Sequence, residues 1–303
     1  MKSARQLQVL YQQGVNITQL IREESGADQN TSSSIDIAYD LQAGSYIEVL
    51  KNPEKLRVKN ESTEVVAETI HKHCEPGTIL EAGIGEGTSL APLIKKLNLP
   101  GLRAFGFDLS WSRVAYAKRY LAGEGFPDVQ LCTGDLFSMP YADNSIDLVI
   151  TRHAVEPNGG REKEILRELY RVTRSILLMV EPDYEFASEE GKRRMEAMGY
   201  VRDLPGKAEE LGYEVLDHCP FTHAVNPLNP SAVTVIRKET DAPEPPSILA
   251  CPIWKTPLLE GSTFLFSPEA LAAYPIIAGI PCLRPENAIV TSKIEEFEKL
   301  VLM

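Results

Sequence analysis

Residues 80–88 read Leu80-Glu81-Ala82-Gly83-Ile84-Gly85-Glu86-Gly87-Thr88, three alternating glycines behind a short apolar run and ahead of a helical one. Glycine permits the sharp turn and lets a ligand approach the backbone. The helix start beyond the loop offers unpaired amide groups. A dinucleotide fingerprint needs glycine at 83, 85 and 88, but position 88 is Thr and the third glycine falls at 87. Asp108 ends the next apolar run, 25 residues past Gly83. A carboxylate there can accept two hydrogen bonds from vicinal ribose hydroxyls. NAD enzymes use an acid in the same way, so Asp108 alone does not select the nucleotide, and it can also cap the helix beginning near Ser110.

Glu81-x-Gly83-x-Gly85-x-Gly87 resembles the first motif of class I S-adenosylmethionine-dependent methyltransferases. The resemblance implies that Glu81, Gly83, Gly85 and Gly87 hold the methionine and ribose portion of that cofactor, with Asp108 on the ribose and Leu109 on the adenine face. It continues in Gly134-Asp135-Leu136 and in Ile146-Asp147-Leu148-Val149. There it implies that Asp135 accepts from the adenine amino group and that Leu136 donates its backbone amide to a ring nitrogen. Relatives that methylate amides or adenine amino groups carry an Asn/Asp-Pro-Pro-aromatic tetrad after the fourth strand. This chain instead has Thr151-Arg152-His153-Ala154-Val155-Glu156-Pro157-Asn158, which argues against those acceptors.

Methyl transfer is an in-line displacement, so alignment is its main demand. A hydroxyl or amine acceptor still gains from a base. His153 is the candidate catalytic base, because its charge changes near neutral pH. Arg152 and Glu156 are candidates to orient substrate. Tyr39, Gln42 and Tyr46, on the helical segment before the core, are expected to line an acceptor pocket, as helical extensions do in similar enzymes. Tyr184 and Phe186, after the fifth strand, are expected to face the same cleft.

The elements that must position these residues follow from periodicity. Apolar runs near 78–82, 104–108, 129–132, 146–151 and 176–180 alternate with helical patterns at 64–73, 90–97, 110–123 and 162–173. Strands alternating with helices imply crossover units and a mainly parallel sheet. Runs at 215–221 and 232–237, with no clear helix between them, suggest an antiparallel edge. The expected fold is therefore α/β, with a Rossmann-like, mostly parallel sheet, an antiparallel edge, an N-terminal helical extension and a small C-terminal α+β domain. The expected partition is a helical cap over 1–60, a cofactor-binding domain over 61–238, a Pro-rich linker over 239–246 and a small domain over 247–303.

In that last unit, Cys251-Pro252-Ile253-Trp254-Lys255-Thr256-Pro257-Leu258 and, later, Tyr274-Pro275-Ile276-Ile277-Ala278-Gly279-Ile280-Pro281 resemble the small zinc-ribbon-like activator subunit of tRNA, rRNA and release-factor methyltransferases. A structural zinc needs four ligands. Here Trp254 replaces the second cysteine of a Cys-x-x-Cys pair, only Cys251 and Cys282 remain, and no histidine follows His223. No metal is expected, and Trp254 is expected to fill the vacated space.

Composition sets the outer bounds. The 303 residues are 43% hydrophobic and 24% charged, so a large buried core is available. Lys and Arg total 31 against 43 Asp and Glu, a net charge of −12, which disfavours nucleic-acid binding through bulk charge. Five scattered cysteines fit reduced thiols in the cytoplasm. No signal core and no membrane span are expected. The leading expectation is S-adenosylmethionine-dependent methyl transfer to a small-molecule acceptor, by a chain that can form a homo-oligomer. Two alternatives stay open at this point: methylation of tRNA or a translation factor, and a non-catalytic cofactor-binding regulatory protein.

Overall fold

The computed structural model describes residues 2–223 and 226–302. Four helices come first: α1 (Ala4–Gln12), α2 (Ile17–Ser25), α3 (Ser32–Leu41) and α4 (Ser45–Val49). The first three share a small core built on Leu7, Ile17 and Ala38. Helix α5 (Pro53–His73) follows and is longer than the pattern over 64–73 suggests. Asn52 accepts from the backbone of Glu54 and Lys55, and proline at the first helical position fixes the start. The boundary expected at residue 60 therefore falls inside a continuous helix.

The central sheet takes β1 (Thr78–Ala82), β2 (Arg103–Asp108), β3 (Gln130–Thr133), β4 (Ile146–Arg152), β5 (Thr173–Pro182), β6 (Glu214–Phe221) and β7 (Ser231–Arg237) in the order β3-β2-β1-β4-β5-β7-β6. The first five pair in parallel, whereas β7 runs antiparallel to β5 and to β6. The crossovers are α6 (Leu90–Leu97), α7 (Trp111–Gly123) and α8 (Glu162–Val172). Two further helices, α9 (Glu189–Met198) and α10 (Leu204–Glu210), lie between β5 and β6. Strand residues alternate faces: Ile79, Leu148 and Ile150 pack with α5, α6 and α7, while Leu80, Val149 and Leu177 pack with α8 and α10. The fold is α/β with a mostly parallel sheet and an antiparallel edge.

The C-terminal unit is an antiparallel sheet of β8 (Leu259–Glu260), β9 (Phe264–Ser267), β10 (Ala272–Ile277), β11 (Ile280–Pro281), β12 (Ile289–Val290) and β13 (Val301–Leu302). The helical part expected of it amounts to two 3-10 turns, Pro285–Asn287 and Ile294–Glu296. It packs against the edge of the central sheet. Cys282 bridges Thr133 in parallel, and the Leu283 N–H donates to the Thr133 carbonyl at 3.1 Å. Its Leu249, Leu258, Tyr274 and Leu283 share one core with Leu136, Met139 and Tyr141. Lys255 reaches Glu168 of α8 at 3.1 Å.

One expectation fails here. Trp254 is 59% exposed and fills no vacated site. Cys251 is fully buried against the Tyr274 hydroxyl, and a tight turn through Lys255 (φ +59°) directs the chain at Trp254 outward. Among the described residues, no group of three or more His, Cys, Asp or Glu side chains is placed to hold a metal ion. No helix among them is long and apolar enough to cross a membrane.

Candidate functional site

The glycine loop leaves β1 and turns under Phe107, whose carbonyl accepts from both Gly83 and Ile84 at 2.9 Å. Gly83, Gly85 and Gly87 all have positive φ, at +74°, +55° and +74°. At Gly83 the need for glycine is twofold, because a Cβ there would stand 2.3 Å from the Ala154 Cβ. The loop can thus pack directly on the segment after β4. Gly83→Ala is expected to lower folding stability by about 1–3 kcal/mol from the φ strain and the clash. The check is a denaturant titration; a midpoint equal to that of the native chain would contradict this account of the loop.

Asp108 braces the loop from β2. Its Oδ2 accepts from the Gly85 N–H at 2.9 Å and its Oδ1 from the Ser110 N–H at 3.0 Å. Burial raises its pKa, against the pull of Arg113 and of those two amides. The helix-cap reading of Asp108 is corrected: Ser110 is the N-cap of α7 and accepts from the Arg113 N–H, while Asp108 holds the Ser110 N–H just ahead of the helix and lines the cleft.

At the β1 end, Glu81 is buried beside the half-buried Lys59 of α5 and Arg152 of β4. Burial raises the Glu81 pKa and lowers that of Lys59, so each charge depends on the others. The Arg152 Nη2 donates to the Ser62 hydroxyl at 3.1 Å. Its Nη1 and the Glu81 Oε2 have no hydrogen-bond partner although both are buried. The opposite charges of Glu81 and Arg152 face each other and offset part of the cost of burying these groups.

Past β4 the backbone is held by Glu181, which accepts from Ala154, Val155 and Glu156 at 3.0–3.2 Å. Burial pushes the Glu181 carboxyl up to about 7, with Glu156 adding to the rise. His153 sits at φ +56°, a strained position that aims its ring into the cleft. Its Nδ1 lies 2.8 Å from the Glu156 Oε2 and its Nε2 lies 3.1 Å from the Ser231 hydroxyl. Burial pulls the His153 pKa down, but the hydrogen bond and charge of Glu156, with Glu181 behind it, outweigh that and raise it.

The N-terminal helices close the cleft from above. Glu86, 2% exposed, accepts from the Gly44, Tyr46 and Ile47 amides at 2.8–3.2 Å and so ties the start of α4 to the glycine loop. Arg113 donates to the Tyr39 carbonyl at 3.2 Å and to Gln42 at 3.3 Å, with its guanidinium 4.6 Å from the Tyr39 ring and 4.7 Å from that of Tyr46. Asp40 accepts from the Ser110 hydroxyl at 2.7 Å. From α3, Tyr39 faces a cleft whose other walls include Gly83, Asp108, Leu109, Leu136 and His153. A second chamber of about 340 Å³ adjoins it across Tyr39 and Pro157 and is bordered by Gln42.

The candidate residues thus divide. Gly83, Asp108, Leu109, Leu136, His153 and Tyr39 share the cleft wall. Glu81, Gly85, Gly87 and Asp135 stand behind it; Asp135 accepts from the Phe137 N–H at 2.9 Å. Arg152 does not reach acceptor space, because β4 turns it back toward Ser62 and Glu81. Glu156 touches His153 from behind. Tyr46 borders neither cavity and is 49% exposed, since it stacks on the outer side of Arg113. Tyr184 and Phe186 also stay out of the cleft: the first donates to Glu196 at 2.7 Å, and the second stacks on His218. Sequence reasoning missed Glu86, Arg113 and Ser231. Only Glu86 left a signal, an acid inside the glycine loop.

Comparison with known proteins agrees with this fold. Residues 79–175 match the family model described as a methyltransferase domain. Ajmaline N-methyltransferase from Rauvolfia serpentina is 26% identical over 167 residues, 54% of this chain and 54% of that protein. An uncharacterized 37.1 kDa protein in transposon TN4556 of Streptomyces fradiae is 35% identical over 144 residues, 45% of this chain and 39% of that one. The chain thus spans about half the length, or less, of these curated relatives. Magnesium protoporphyrin IX methyltransferase from Synechocystis PCC 6803, solved with SAH bound, superposes with a TM-score of 0.50 at 13% identity over 67% of this chain and 99% of that one, which supports the fold. What these matches support is a methyltransferase domain over residues 79–175 of this chain.

Proposed function

We propose that the whole chain transfers a methyl group from S-adenosylmethionine to a small-molecule acceptor. The observation that carries this is the single cleft lined together by Gly83 of the glycine loop, Asp108 at the end of β2, Leu109, Leu136 and His153. A ribose diol against Asp108 and a flat apolar base against Leu109 and Leu136 are the groups that this arrangement fits. The cofactor supplies a sulfonium-bound methyl group, which is already strongly electrophilic.

The chain's own residues then have to align the acceptor and take its proton. Glu156 holds the Nδ1–H of His153, leaving Nε2 as the accepting atom. An acceptor O–H or N–H that displaces the Ser231 hydrogen bond can pass its proton to Nε2. The cap helices, locked down by Glu86, Asp40 and Arg113, exclude water. Gly85, Gly87, Asp135 and the amide of Leu136 complete the cofactor's surroundings in this reading, and Gln42 borders the acceptor.

The C-terminal unit is read as a fused counterpart of the activator subunit. Its strand lies along the β3 edge, the Ala250 N–H donates to the Pro140 carbonyl at 3.0 Å, and Arg284 donates to the Leu109 carbonyl at 3.2 Å, so it steadies the adenine-side loops. We divide the chain into cap, cofactor domain, linker and this unit, with the first border moved to the start of α5. The five free cysteines fit a cytoplasmic location, and the −12 charge fits a partner other than nucleic acid. The test is a thermal-shift comparison of S-adenosylhomocysteine with NAD at equal concentration. The proposal expects stabilisation by the former alone; stabilisation by NAD alone would overturn it.

A further inference from the structure

The second chamber lies between the cap and α9, outside the residues assigned to the cofactor. The cap is fixed to its far side by Asn30, whose side-chain amide donates to the Pro157 carbonyl at 2.8 Å and to the Met198 carbonyl at 3.2 Å. At about 340 Å³ the chamber falls within the range of small-molecule sites. Its polar lining is neutral throughout, with Asn, Gln, Thr and Tyr side chains, except for Arg194 of α9. Arg194 is half-buried, borders the chamber beside Tyr200, whose ring centre lies 5.7 Å from its guanidinium, and forms no ion pair with a carboxylate among the described residues. The nearby carboxylate of Glu156 is engaged by His153 at 2.8 Å. A half-buried guanidinium with no carboxylate partner stands out in a chain with 43 acidic residues against 31 basic ones.

We propose that Arg194 recognises a carboxylate, or a similar planar oxyanion, carried by the methyl acceptor. A guanidinium offers paired N–H donors in a fork that matches a carboxylate. Tyr11, Tyr39 and Tyr200 line the same chamber and present ring faces or edges to a flat body. An acceptor anchored at Arg194 extends toward Tyr39 and Pro157, the residues shared with the cleft where His153 stands. The inference rests on the methyltransferase reading of that cleft, and it narrows the acceptors to acids that carry their nucleophilic oxygen or nitrogen away from the acid group.

The test uses the full chain saturated with S-adenosylhomocysteine and a set of aromatic and cyclic carboxylic acids, each matched with its primary amide, followed by ligand-observed NMR. Acids are expected to bind about tenfold or more tightly than their amides, the scale of a charge-assisted hydrogen-bonded pair. Arg194→Met is expected to reduce acids to the level of amides while leaving S-adenosylhomocysteine affinity unchanged. Arg194→Lys, which keeps the charge, is expected to retain part of the preference and covers the case in which the methionine variant folds poorly. Equal binding of acids and amides, an acid preference that survives in Arg194→Met, or the absence of any acid that binds would overturn the inference. A native chain that takes up no S-adenosylhomocysteine contradicts the cofactor reading instead, and the acid–amide comparison, repeated without it, then decides the role of Arg194 on its own.

Discussion

Asp108→Ala is expected to weaken S-adenosylhomocysteine binding about 10- to 100-fold, or about 1.5–3 kcal/mol, the scale of hydrogen bonds to a charged acceptor. Two effects add. The ribose loses its acceptor, and Gly85 loses the carboxylate that holds its amide at 2.9 Å, so the loop itself loosens. Asp108→Asn keeps a carbonyl oxygen for one of these contacts and should fall between the alanine variant and the native chain. Titration calorimetry on all three proteins reads the series directly. Unchanged affinity in a folded Asp108→Ala chain would remove Asp108 from the cofactor site.

His153→Ala is expected to lower kcat roughly 10²- to 10⁴-fold, the usual range for a lost general base, with cofactor affinity near native. The pH profile carries the more specific signature. Only neutral imidazole accepts a proton, and Glu156, helped by Glu181, raises the His153 pKa above its ordinary value against the opposing effect of burial. Activity should therefore fall as pH drops through a value above about 6.5. Glu156→Gln removes the neighbouring charge, so this limb should move to lower pH. The same raised pKa gives stability that is fully present below about pH 6.5 and is lost as pH rises through the folded value. Near-native turnover in well-folded His153→Ala would dismiss the base and leave alignment alone to explain the rate.

The sheet was legible because its strands are short apolar runs between amphipathic helices, and Ile79 and Leu80 pack on opposite faces as period-two alternation requires. The turn of the glycine loop and the place of Asp108 beside it were legible because a glycine at φ +74° and an acid at a strand end leave local marks in the sequence. Helices α9 and α10 were missed: Glu189–Met198 is mostly charged, and only Gly191 and Met195 are buried. Side-chain direction was the other loss. Tyr46 and Arg152 lie in the right segments, but Arg113 draws the first outward and Ser62 with Glu81 draws the second inward. Arg194 was hidden in the run Lys192-Arg193-Arg194, where sequence alone does not single out the cation beside the chamber.

The most direct measurement follows the methyl group itself. The purified chain is incubated with methyl-labelled S-adenosylmethionine and a metabolite extract, and the label is then traced among small molecules, RNA and protein. The account predicts label in one or a few small molecules, dependent on Asp108 and His153. Label confined to RNA or protein, or cofactor binding with no transfer to any fraction, would contradict it.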